Sequence, residues 1–269
     1  TLTLTGNNTY TGTTSISAGT LAFGSIAANG SAQPLGEDTG TILLGNATLD
    51  YTGDTNAVAL DRSITVTAGD TGTIDNSGGG TLTLGATVGS ATLTKTGSTL
   101  VLTGGNFIIN DIITSDRSTD TSFNSDMAFS TGSTVVLNAQ NTYYGNTYID
   151  TNTIVQNGIS DALPTDTVLT LGSDATNGTL DLHGYDQTIA GLTTSGTGTA
   201  NIITNNAAGS GVSTLTIDND TTTSDSDYTF AGSINNGATA RVALVKTGDH
   251  NLDLTGTNGY TGGTSVQEG

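Results

Sequence analysis

Leu4-Thr5-Gly6-Asn7-Asn8-Thr9-Tyr10-Thr11-Gly12-Thr13-Thr14-Ser15-Ile16 returns without a gap at the far end of the chain. There it reads Leu254-Thr255-Gly256-Thr257-Asn258-Gly259-Tyr260-Thr261-Gly262-Gly263-Thr264-Ser265-Val266. A degraded copy lies mid-chain, with Leu137, Asn141-Thr142-Tyr143, Gly145, Thr147 and Ile149 in matching places. Each copy reads as a short strand, a Gly/Asn turn carrying an inward aromatic, and a second short strand. A longer echo surrounds them. Pro34-Leu35 followed by Leu43 to Asp50 is answered by Leu163-Pro164 followed by Leu169 to Asp181. Leu93-Thr94-Lys95-Thr96-Gly97 is answered by Leu244-Val245-Lys246-Thr247-Gly248. Spacings differ between the copies, so insertions fall in turns, as they do in arrays that stack one structural unit on the next.

The intervening sequence alternates apolar and polar residues over four to six positions between Gly, Asn and Asp, the pattern of half-buried strands with turn punctuation. Thr13 to Ser17, Ala47 to Tyr51, Thr99 to Thr103 and Arg241 to Lys246 are examples. No stretch carries a helical face with a cap; Ala57 to Arg62 is too short. The expected fold is all-β, a right-handed parallel β-helix running as a single solenoid over residues 1–269. Coils of roughly 20 to 25 residues would give about a dozen turns. The least regular stretch, 106–130, sets Asp111, Asp116, Arg117, Asp120 and Asp126 around Phe107, Phe123 and Phe129, and is expected to be a longer loop or a decorated coil.

Composition agrees. Of 269 residues 33% are hydrophobic, 38 are Gly and 2 are Pro, and Thr outnumbers Gly. Low hydrophobicity with a net charge of −19 is a signature of disorder. A solenoid removes the conflict, because its core is a thin column needing few apolar residues per coil. With 5 Lys and Arg against 24 Asp and Glu, no basic patch exists for nucleic acid or for anionic membrane surfaces. No apolar run is long enough to span a bilayer, so no membrane insertion of this segment is expected. The absence of Cys excludes disulfides and thiolate chemistry and suits a chain that crosses an oxidising compartment unfolded.

The C-terminal copy, and the N-terminal copy continued through Gly19-Thr20-Leu21, resemble the passenger-associated repeat of bacterial autotransporters. That repeat runs as a Leu-Thr-Gly strand, an Asn-x-Tyr-x-Gly-Gly turn and a Thr-x-Ile/Val strand. Thr13 departs from it by replacing the second Gly of the turn. The resemblance implies a secreted or cell-surface β-helix, in proteins that act as adhesins or surface filaments.

Candidate chemistry is sparse. Many parallel β-helices cleave polysaccharides, but the paired carboxylates and basic residues of those sites are missing. Asp181, His183 and Asp186 form a triad on paper without a nucleophile; His183 and His250 both fall in turns. No catalytic residue and no cofactor is expected. Asp218, Asp220, Asp225 and Asp227 are the candidate Ca²⁺ ligands, since hard oxygens at alternate positions can converge on that ion. They fit neither the EF-hand nor the calcium β-roll pattern, and a solvated acidic loop is the alternative. Tyr144 and Tyr148 are candidate contacts for a partner or glycan, with Tyr143 assigned to the core like Tyr10 and Tyr260.

Neither end reads as a cap. Joining Gly269 to Thr1-Leu2 recreates Gly19-Thr20-Leu21, so the chain is expected to be a segment or subunit of a longer assembly. Its expected partners are a second copy, end to end, or a host or neighbouring cell surface or glycan. The expected function is structural and adhesive. A filament subunit is the first alternative, and a carbohydrate-active enzyme the second.

Overall fold

The structure, a computed structural model, describes residues 1–37, 40–54, 58–115, 125–219 and 227–268. Among them there is no helix. Every named strand pairing is parallel, and the chain winds as a β-solenoid of about nine turns. The turns are fewer than the dozen expected because corner insertions lengthen them. Partners on adjacent coils lie 28 residues apart at Asp75 and Thr103 and 36 apart at Thr193 and Thr229.

Three faces carry the ladders. The first runs from Leu2–Leu4 through the second halves of Thr14–Phe23 and Ile42–Tyr51. It continues to Thr71–Asn76, Thr99–Gly104, Met127–Ser130, Thr147–Ile149, Val168–Leu171 and Gly191–Thr194. Tyr228–Phe230 and Leu252–Leu254 pair beyond it. The second face stacks Leu82–Leu84, Phe107–Ile109, Thr134–Leu137, Thr153–Asn157, Gly178–Asp181, Ile202–Thr204 and Ser233–Ile234.

The third face is interrupted. It stacks the first halves of the two long strands with Ile64–Val66, Thr92–Lys95 and Ile112–Ser115, then resumes at Gln187–Ile189, Val212–Asp218, Arg241–Thr247 and Thr264–Val266. Between the strands Ile112–Ser115 and Gln187–Ile189, among the described residues, this face holds one isolated bridge, Thr114 to Thr142.

Strand alternation sends every second residue inward, and register stacks like on like. Leu49, Ile74, Leu102, Phe129, Ile149 and Leu171 form one column of successive register partners, each fully buried. Leu82, Phe107, Val135, Val155, Leu180, Ile203 and Ile234 form another. A second inward column runs beside each, as Leu84, Ile109 and Leu137 do on the second face; burying one such side chain contributes roughly 1.5–3 kcal/mol, so a thin core of stacked columns is sufficient.

Within 106–130, Phe107–Ile109, Ile112–Ser115 and Met127–Ser130 are ladder strands, and Phe107 and Phe129 belong to the core. Asp116, Arg117, Asp120 and Phe123 lie outside the described residues. Among the described residues no helix is long and apolar enough to cross a membrane.

Candidate functional site

The three copies of the opening motif can be compared directly. In the middle copy Tyr143 is fully buried, and its hydroxyl lies 2.6 Å from Thr147 Oγ1. In the C-terminal copy Tyr260 and Thr264 repeat that contact at 2.7 Å. In the N-terminal copy it is lost: Tyr10 is 40% exposed, its hydroxyl reaches the Pro34 carbonyl at 3.5 Å, and Thr14 Oγ1 is left buried without a partner. Within this chain the burial of Tyr10 and Tyr260 is incomplete, whereas the middle copy has a coil of the same chain stacked on both sides. The Tyr–Thr pair four residues apart is a feature that the sequence reading missed; its signal was the Thr held in common by all three copies.

Lys95 belongs to the same assembly. It is fully buried, its Nζ lies 4.6 Å from the Tyr143 ring centroid, and it donates to the Ser125 carbonyl. A cation over an aromatic face, desolvated, is worth about 2 kcal/mol. The second lysine of the repeated Lys-Thr-Gly, Lys246, donates to the carbonyls of Thr247 and Gly248, both at 2.6 Å. Both lysines thus satisfy turn carbonyls and are withdrawn from solvent.

Tyr144 and Tyr148 take different places. Tyr148 stands on the outer side of the first face, its register partners being Ala128 and Thr170. Burial pushes its hydroxyl pKa up, nearby Asp126 adds to the rise, and a bond with Asn146 opposes it. Tyr144 lies in the turn before that strand, where its N–H donates to Ser115 Oγ at 2.9 Å.

The candidate Ca²⁺ ligands are divided. Asp220 and Asp225 lie outside the described residues. Asp218 ends the strand Val212–Asp218 on the third face, while Asp227 precedes the strand Tyr228–Phe230. Asp227 accepts the Asn251 N–H at 2.8 Å, and that bond is the first cause holding its carboxyl below the usual range. His250 Nδ1 stands 4.0 Å away. Among the described residues no three His, Cys, Asp or Glu are grouped to hold a metal.

The Asp181–His183–Asp186 arrangement is structural. Asp181 accepts the N–H groups of His183 at 3.0 Å and Asn206 at 2.8 Å, and the Gln156 amide at 3.2 Å. Asp186 faces another coil and accepts the Thr214 N–H at 2.7 Å. The carboxylates close corners between coils.

The interrupted third face leaves a lateral recess of about 530 Å³ lined by Thr114, Ser115, Asn141, Thr142, Pro164, Thr165 and Asp166. Its floor is braced by Asn141, 4% exposed, whose Oδ1 accepts the Ile113 N–H at 2.8 Å and whose amide donates to the Ala162 carbonyl at 2.7 Å. Asn141 thereby does across the gap what a ladder bond does elsewhere.

The model of the passenger-associated-transport repeat matches residues 1–23 and 244–269. The chain is 30% identical over 268 residues to the adhesin BmaC autotransporter of Brucella suis biovar 1 (strain 1330). The match takes in 98% of this chain and 6% of that protein, so the chain spans a small part of its relative. No solved structure gives a significant match. The repeats at both ends, the similarity to an autotransporter adhesin and the stacked parallel coils agree: this chain is a β-solenoid that carries the passenger-associated-transport repeat at both of its ends.

Proposed function

We propose that the chain is a non-enzymatic adhesive segment of a bacterial surface passenger, held outside the cell as a rigid rod. The observation that carries this reading is similarity along nearly the whole chain to an autotransporter adhesin, on a fold built from long parallel ladders. A rod whose polar corners are spent on coil-to-coil bonds is suited to extension and to lateral contact. Beads coated with the purified chain test it. Saturable attachment to epithelial monolayers, competed by soluble chain, is the expected result. Attachment no greater than that of albumin-coated beads overturns the adhesive role.

A second reading, end-to-end stacking of copies, is favoured by the open edges of the ladders. Leu2 is 60% and Val266 is 69% exposed. Recesses of about 430 Å³ and about 270 Å³ open at the two ends, the first lined by Leu2, Leu4, Tyr10 and Ile16, the second by Leu252, Leu254, Tyr260 and Val266. The same edges accept the next coil of a longer chain or a second copy. Negative-stain images of the purified chain with Ca²⁺ and with EDTA test this. Fibres one coil wide support stacking, and their loss in EDTA assigns Ca²⁺ a part in it. Short uniform rods in both conditions reject it.

A further inference from the structure

We propose that the lateral recess of the interrupted third face is a binding site for a neutral oligosaccharide; this rests on the adhesive reading and names its ligand class. The argument begins with the backbone. Ile112–Ser115 has no strand above it, and the chain crosses this face as turns through 139–146 and 158–167 before the ladder resumes at Gln187. Turns lie less flat than strands, and the resulting hollow falls within the size range of small-ligand sites.

The hollow is built before any ligand arrives. Asn141 ties its two walls together. Pro164, buried, fixes one lip with its ring and closes a turn in which its carbonyl accepts the Thr167 N–H at 3.2 Å. Little ordering remains to oppose binding.

The lining selects the ligand class. Thr114 and Thr142 hydroxyls, 3.1 Å apart, form a short ladder at the wall, each retaining hydrogen-bonding capacity. Ser115, Thr165 and the Asp166 carboxylate complete a set of close-spaced donors and acceptors. Such a set matches the vicinal hydroxyls of a sugar ring. Among the described residues no Lys, Arg or His lines the recess, whose charged group is the Asp166 carboxylate, and the chain carries a net charge of −19. Sialylated and sulfated glycans are therefore repelled, and uncharged hexose and N-acetylhexosamine chains are favoured.

The test uses the whole chain with cellotetraose, chitotetraose and a neutral galactotetraose, against a sialylated and a sulfated oligosaccharide and an uncharged Thr/Ser-rich peptide. Binding is read by calorimetry and by amide shift changes. At least one neutral sugar is expected to bind and to shift the amides of Thr114, Thr142 and Thr165. Asp166→Ala should weaken it about tenfold or more, the scale of one lost charge-assisted hydrogen bond. Thr142→Trp, which fills the exposed mouth, should abolish it while leaving the melting temperature and circular dichroism unchanged. The proposal is overturned if no neutral sugar binds at 10 mM, if Thr142→Trp binds as well as the parent chain, or if charged glycans or the peptide bind better. Should beads coated with Thr142→Trp still adhere to cells, the recess is rejected as the adhesive site and the adhesive function stands.

Discussion

Asp111 is a carboxyl held where its charge is poorly accommodated. It is fully buried; one carboxylate oxygen accepts the Ala91 N–H at 3.0 Å and the other has no partner. Burial, with the neighbouring Asp61 charge adding to it, pushes its pKa up to about 6 from an ordinary 3.8. Between these values the folded chain holds a proton that the unfolded chain has released. Asp111 therefore favours folding below about pH 4, and this contribution is lost as pH rises through about 6. Asp111→Asn should stabilise the protein by about 1–2 kcal/mol at pH 8 and have little effect at pH 4. Urea titrations of both proteins at the two pH values check this; an equal effect at both would reject the buried-charge explanation. A second residue-scale outcome concerns the Tyr–Thr pair. Thr147 Oγ1 links Tyr143 to Thr167 Oγ1, which lies 2.8 Å away and in turn donates to the Gly145 carbonyl. Thr147→Val should cost about 1–3 kcal/mol by orphaning the buried Tyr143 hydroxyl. Thr264→Val, in the exposed terminal copy, should cost clearly less in the same denaturation assay.

At the scale of the element, the turn of the repeat is governed by one left-handed residue. In the C-terminal copy this is Gly263, at φ +105°. The N-terminal copy has Thr13 there, and the positive φ moves back to Gly12, at +111°; the middle copy does the same at Gly145, at +100°. Ungapped sequence repetition therefore hides a one-residue shift in the turn. The shift has an energetic consequence. A Cβ on Gly145 would stand 2.4 Å from the Ser125 carbonyl, whereas one on Gly263 meets nothing within 4 Å. Gly263→Ala should cost about 1 kcal/mol, the left-handed penalty alone. Gly145→Ala should cost about 2–4 kcal/mol, because a packed backbone must also move. Thermal melts of the two variants distinguish these outcomes; equal losses would mean that the turn relaxes freely. The strands around these turns were legible because alternation and register obey the same period, so Leu102 and Phe129 can be assigned inward from their neighbours alone. The recess was not. It arises where an expected strand is missing from one face, and Asn141 supplies a side-chain amide in place of a ladder bond. Alternation says which way a residue points but not which coil lacks its strand. Likewise Asp218 and Asp227 looked close along the chain, yet one ends a third-face strand and the other opens a first-face strand.

At the scale of the whole molecule, two tendencies oppose each other. In the isolated chain the ladder edges at Leu2–Leu4 and Thr264–Val266 present unpaired backbone and exposed apolar side chains, which favour association. The net charge of −19 on every copy opposes it, and no compensating cluster of cations is available from 5 Lys and Arg. Two of those, Lys95 and Lys246, are buried among carbonyls, and Arg62 is buried with its guanidinium donating to the carbonyls of Leu35 and Gly40. Screening decides between the tendencies. Repulsion reaches about 30 Å at 0.01 M salt and about 3 Å at 1 M, while backbone pairing at an edge acts over bond lengths and is insensitive to salt. If the edges recruit copies of the chain, sedimentation velocity should show monomers at 10 mM NaCl and a growing series of oligomers at 500 mM. Leu2→Glu, which places a carboxylate on the exposed edge strand, should suppress the series without altering the melting temperature by more than a few degrees. A chain that stays monomeric at every salt concentration, or oligomers that form equally well with Leu2→Glu, would show that the edges do not drive association, and would leave adhesion through the lateral faces as the function to pursue.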